Sequence, residues 1–95
     1  MSAYVIVDIT VTDPVRYEQY KKLSGAAVTT CAGRFLVRGG KVDVLEGTWH
    51  PSRFVILEFP TVEGAKEWWT SETYRPAKEI RQATATTNMI VVEGV

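Results

Sequence analysis

Residues 4–11, YVIVDITV, carry a β-branched apolar side chain at every odd position (Val5, Val7, Ile9, Val11) and a mixed set at the even ones (Tyr4, Ile6, Asp8, Thr10). Side chains alternate across a strand, so this segment reads as a strand with one dry face and one half-wet face. A chain that begins this way must build a sheet, cover one side of it fully and find partial cover for the other. Residues 54–59 repeat the demand, with Val55, Leu57 and Phe59 on the dry side and Phe54, Ile56 and Glu58 on the mixed side.

Helix signals fall between the strands. Asp13-Pro14 offers an N-cap followed by a proline at the first helical position, and Tyr17, Tyr20, Ser24, Ala27, Val28 and Cys31 then form one stripe at helical spacing. Gly33 is the expected C-cap. Residues 34–38, RFLVR, read as the second strand. Gly39-Gly40 reads as a tight turn, residues 42–45 as a short strand extension, and residues 46–52 as a loop. Thr61 caps a second helix bearing Val62, Ala65, Trp68 and Trp69. Ser71 interrupts it and starts a further segment with Tyr74, Ala77 and Ile80 on one side and Pro76 in its first turn. Residues 88–93 form the last strand.

The order is β-α-β-β-α-β, the split βαβ plan of a ferredoxin-like α+β fold with a four-stranded antiparallel sheet. Right-handed crossovers put both helical regions on one face of that sheet. The other face is left with Tyr4, Ile6, Leu36, Phe54 and Ile56, an apolar patch of the kind that marks an interface. Closed pairing with a second copy is the commonest way to cover such a face, so a homodimer is expected.

Bulk properties narrow the partners. The 95 residues fit one domain, 1–95. Lys+Arg and Asp+Glu balance at 11 each, which gives no electrostatic case for nucleic acid or an anionic membrane surface. The lone Cys31 cannot form an internal disulfide, the N-terminus lacks a signal-peptide pattern, and no apolar run approaches a membrane span. A cytoplasmic location is the default expectation.

Two side-chain sets are candidates for chemistry. Strict alternation places Asp8, Arg34, Arg38 and Glu58 on the mixed face, where charges inside a barrel must be paired. They read either as an ion-pair network at the dimer seam or as a polar pocket with a carboxylate able to act as acid or base. The aromatics Tyr17, Tyr20, Trp49, Trp68, Trp69 and Tyr74 read as core and interface packing or as the lining of a cleft between helices and sheet. Successive helical residues diverge, so Trp68 and Trp69 cannot both face inward. Asp8, Arg34, Arg38, Glu58, Tyr17, Tyr20, Trp69 and Tyr74 are the candidate pocket residues. No metal or other cofactor is expected: His50 is the sole histidine and has no co-ligand motif, and Cys31 at a helix C-terminal end reads as a small buried hydrophobe.

The segments YVIVDITVTDP (4–14), GRFLVRGG (33–40), VLEGTW (44–49), LEFP (57–60) and WWTSETY (68–74) together resemble the bacterial domain-of-unknown-function family 1330, over nearly the whole chain. The resemblance implies the dimeric α+β barrel superfamily, in which two ferredoxin-like subunits set their open sheet faces together. Relatives there include haem-degrading and cofactor-free monooxygenases, lactone isomerases and ligand-sensing domains, and a shared fold does not carry function across that range. The leading expectation is a homodimer that binds a small organic ligand in the cleft between sheet and helices. The alternatives are a cofactor-independent monooxygenase or isomerase with Asp8 or Glu58 as base and Arg34 or Arg38 holding an anionic group, and a structural or regulatory dimer without ligand.

Overall fold

The computed structural model describes residues 2–95. Its elements run β1 (Ala3–Val11), α1 (Pro14–Thr30), β2 (Arg34–Arg38), β3 (Arg53–Phe59), α2 (Val62–Thr70), α3 (Arg75–Thr84) and β4 (Ala85–Glu93). The strands form one antiparallel sheet in the order β2-β3-β1-β4. This is the expected βαββαβ plan, with the second helical region divided at Ser71. There the Ser71 hydroxyl donates to the Trp68 carbonyl at 2.8 Å and accepts from the Tyr74 N–H at 3.1 Å.

The dry faces of β1 and β3 meet the helices. Val5, Val7, Ile9, Val55, Leu57 and Phe59 pack with Tyr17, Ala27 and Val28 of α1, Ala65 and Trp68 of α2, and Tyr74 and Ala77 around α3. α1 starts where the Asp13 carboxylate accepts the Arg16 N–H at 3.2 Å, and it buries Tyr17, Ser24, Ala27 and Val28, members of the stripe read from the sequence. At its end the Gly33 N–H reaches the Val28 carbonyl and the Ala32 N–H the Thr29 carbonyl, a Schellman closure. The residue in the left-handed region is Ala32, at φ 64°. Gly33 serves instead by close approach: a Cβ there would lie 2.5 Å from the Phe59 ring.

Three sequence expectations shift. Register slips between Phe35 and Val37, so Arg34 stands opposite Glu58 but Arg38 stands opposite Val55. This β-bulge inserts one residue and sends Arg38 to the helix side of the sheet. Residues 42–45 form no strand; residues 39–52 are an irregular loop, with Gly39 and Gly47 at positive φ. A four-residue segment forms a strand only where it finds a partner, and β3 already pairs with β2 on that side. β4 begins at Ala85 rather than Asn88, because Thr86 and Thr87 continue its ladder with Thr10 and Ile9 of β1.

The other sheet face carries Tyr4, Ile6, Phe54 and Ile56, all half-buried, with Ile90 60% and Val92 44% exposed beside them on β4. Leu36, at the bulge, is 45% exposed.

Candidate functional site

A cleft of about 580 Å3 opens between α2, α3 and the edge strand β4. Its walls are mostly apolar and aromatic, with Val5, Ala65, Trp68, Trp69, Met89 and Val91 among them. Volume and lining fall in the range of small-molecule sites. The pleat of β4 supplies the floor, since Thr87, Met89 and Val91 share the face that pairs with the buried side of β1. Of the two tryptophans Trp68 turns inward, at 1% exposure, while Trp69 remains 42% exposed at the rim with the Lys78 ammonium 4.0 Å over its ring.

Three polar groups in these walls are under-partnered. Arg81 is only 4% exposed, and its guanidinium is held through Nε, which donates to the Tyr74 hydroxyl at 3.2 Å. Among the described residues no carboxylate pairs with it. Trp68 Nε1 and Thr87 Oγ1 are buried without a hydrogen-bond partner. Buried polar groups are nearly always satisfied, so Trp68 Nε1 and Thr87 Oγ1 are exceptions along this cleft, as is Arg53 Nε outside it.

Behind Arg81 the tyrosines form a support. The Tyr20 and Tyr74 hydroxyls lie 2.9 Å apart, the Tyr17 and Tyr20 rings 5.2 Å apart, and the Trp68 and Tyr74 rings 4.3 Å apart. Burial, reinforced by Tyr74, raises the Tyr20 phenol well above its ordinary value, and burial likewise raises Tyr17. Tyr20 is therefore a neutral hydroxyl at physiological pH, holding Tyr74 rather than trading protons.

Of the residues expected to make a pocket, Trp69 lines this cleft. Tyr74 orients Arg81, and Tyr17 and Tyr20 lie one layer back. Arg38 reaches α1, where Nη2 donates to the Lys21 carbonyl at 2.9 Å. The remaining three lie on the opposite sheet face in two separate pairings. Arg34 Nε donates to Glu58 Oε1 at 2.6 Å. Asp8 accepts from Trp49 Nε1 at 3.0 Å and from the Ser52 N–H at 3.1 Å. Glu58 faces Tyr4, and Asp8 lies four residues further along β1, about 13 Å away at the rise of a strand. The single polar set expected on the mixed face is thus two pairings, of which Asp8 fastens the loop and Glu58 ties β3 to β2.

The Arg34 hydrogen bond, with weaker help from Ser2 and Tyr4, holds the Glu58 carboxyl below its ordinary 4.5. A carboxylate with a lowered folded-state value adds stability that is complete above its unfolded value and disappears as pH falls through the folded one. Urea midpoints of the native chain and Glu58→Gln should therefore differ by a constant amount above about pH 5 and converge on acidification below about pH 4. A gap that widens on acidification would contradict the pairing.

Sequence reasoning missed Arg81, although its signal was present. Arg81 lies seven residues after Tyr74 and four after Ala77, on the stripe that α3 buries, whereas Ile80 is only half-buried. Among the described residues no group of three or more His, Cys, Asp or Glu stands together as a metal site requires. No helix among them is long and apolar enough to cross a membrane.

Four antiparallel strands in the order β2-β3-β1-β4, with every helix on one side, define the ferredoxin-like α+β class to which dimeric α+β barrels belong. Within that class, the chain belongs to the family described as Domain of unknown function (DUF1330), whose model matches residues 2–95. No curated protein matches the sequence. Among solved structures, the chain is similar to RPA0582, a protein of unknown function from Rhodopseudomonas palustris, at 20% identity and TM-score 0.80, covering 99% of this chain and 82% of that one. A dimeric ferredoxin-like protein of unknown function from Jannaschia sp. CCS1 matches at 11% identity and TM-score 0.73, covering 99% and 100%. SnoaB, a cofactor-independent oxygenase from Streptomyces nogalater, matches at 12% identity and TM-score 0.68, covering 99% and 93%. At these identities the likeness is one of fold.

Proposed function

We propose that this chain acts as a homodimer that binds a small organic ligand in the cleft between α2, α3 and β4. The carrying observation is the cleft itself: about 580 Å3, aromatic at its wall and rim, with the buried Arg81 in its lining. A dimer without a ligand role has no need of such a cavity. The pairing face is the opposite one, where Tyr4, Ile6, Phe54 and Ile56 form a continuous apolar layer on the central strands. The similar ferredoxin-like protein from Jannaschia, described as dimeric, supports self-association. The single free thiol, Cys31, suits a reducing cytoplasm.

The enzyme reading has weaker support. Asp8 and Glu58, its candidate bases, lie on the pairing face, and no Asp or Glu lines the cleft. A general base must come within hydrogen-bond reach of its proton.

Gln82 is exposed on α3 and lines the cleft, so Gln82→Trp fills the mouth without disturbing the core. With 2-naphthol as a neutral probe, the native chain should show saturable binding, and Gln82→Trp should weaken it at least ~10-fold at unchanged melting temperature. Absence of 2-naphthol binding by the native chain, or binding that ignores the plug, would sink the cleft reading.

A further inference from the structure

We infer that the ligand of this cleft is a flat organic monoanion, a carboxylate on an apolar ring system, whose charged group is taken by Arg81. This rests on the reading that the cleft binds a small organic molecule, and goes beyond it by naming the ligand's charge and anchor.

A guanidinium stays ionised at any physiological pH, and removing it from water is costly unless its donors and charge are answered. Here the answer within the protein is incomplete. Nε is engaged by Tyr74, and among the described residues the Nη atoms make no hydrogen bond and no carboxylate lies within ion-pair distance. The side chain is nonetheless 4% exposed and belongs to the cleft wall. Tyr74 fixes the orientation of the fork, and Tyr20 fixes Tyr74. A held guanidinium with free Nη donors matches a carboxylate, which accepts two parallel hydrogen bonds.

The rest of the lining agrees on sign and shape. It includes a second cation, Lys66, and no acidic side chain. Trp69, Met89 and Val91 offer apolar surface suited to a planar body. A phosphate dianion fits less well: the cleft has one buried cation, and no glycine lines it to bring backbone N–H groups close.

The test compares 2-naphthoate with 2-naphthamide, which share a ring system and differ in charge. By calorimetry the native chain should bind the acid at least ~10-fold more tightly than the amide. Arg81→Met should erase that preference while keeping amide binding, and Arg81→Lys should retain part of it. If 2-naphthol binds but acid and amide bind equally, the cleft stands and the anion inference falls. The inference also falls if the preference survives Arg81→Met. If none of the three probes binds, both readings fall. Should Arg81→Met not fold, the native chain still decides: the 15N-detected Arg81 Nε–H signal should move with the acid and hold still with the amide, and a signal unmoved by the acid overturns the assignment.

Discussion

Ile56→Asp is expected to convert a dimer into a folded monomer. Ile56 lies mid-way along β3, opposite Ile6 of β1 and Val37 of β2, at the centre of the uncovered face. In the isolated subunit this side chain is half-buried, so an aspartate there keeps access to water and the fold tolerates it. In a dimer the same position is sealed, and an unpaired buried charge costs on the order of 3–5 kcal/mol. That corresponds to a roughly 100- to 1000-fold or greater weakening of self-association. Sedimentation at micromolar concentration should show the native chain at twice the monomer mass and the variant at the monomer mass, with native secondary structure. Stability should fall as well and become independent of protein concentration, because association no longer contributes. A variant that stays dimeric would place the interface elsewhere, and a monomeric native chain would remove it.

Trp68→Ala should produce the largest loss of intrinsic stability, about 3–5 kcal/mol, as for other buried aromatic truncations. The indole sits between the Phe59 ring at 5.3 Å and the Tyr74 ring at 4.3 Å, so its loss opens a void joining the core to the cleft. For a chain of this size each kcal/mol lowers the melting temperature by roughly 4–8 °C, so the variant should melt tens of degrees lower or fail to fold near 37 °C. Trp68→Phe separates packing from polarity. It keeps a ring against both neighbours and deletes the buried N–H that lacks a partner, a group whose burial costs about 1–3 kcal/mol. Its loss should therefore be less than half that of the alanine variant. Equal damage from both would mean that the indole N–H is engaged, contrary to the geometry.

The architecture was legible because alternation and periodicity record which surfaces are dry. The β1 and β3 faces, the α1 stripe and the break at Ser71 all follow from local pattern. What failed was long-range register. Strict alternation through RFLVR puts Arg34 and Arg38 on one face, and one inserted residue sends them to opposite faces. Nothing local announces a bulge in a five-residue strand. The candidate site was less legible for a related reason. Charged residues are ordinarily exposed, so opposite charges that strand alternation sets on one face, such as Arg34 and Glu58, stand out, and an arginine within a helix named by its apolar neighbours passes as solvent-facing. Helical spacing from Tyr74 and Ala77 marks Arg81 as inward-facing, but its bond to Tyr74 and its place in the cleft wall emerge only from tertiary packing.

The loop between β2 and β3 is secured near its two ends, by the Gly39 N–H on the Phe54 carbonyl and by Asp8 gripping Trp49 and Ser52. Among the described residues, nothing from Gly40 to Thr48 hydrogen-bonds elsewhere. That stretch is a graft point: added length would lengthen an arm while both anchors keep their register, and lengthening a flexible loop carries only a logarithmic entropic penalty. An engineer can therefore splice an epitope or a fluorophore-bearing peptide there with the scaffold intact.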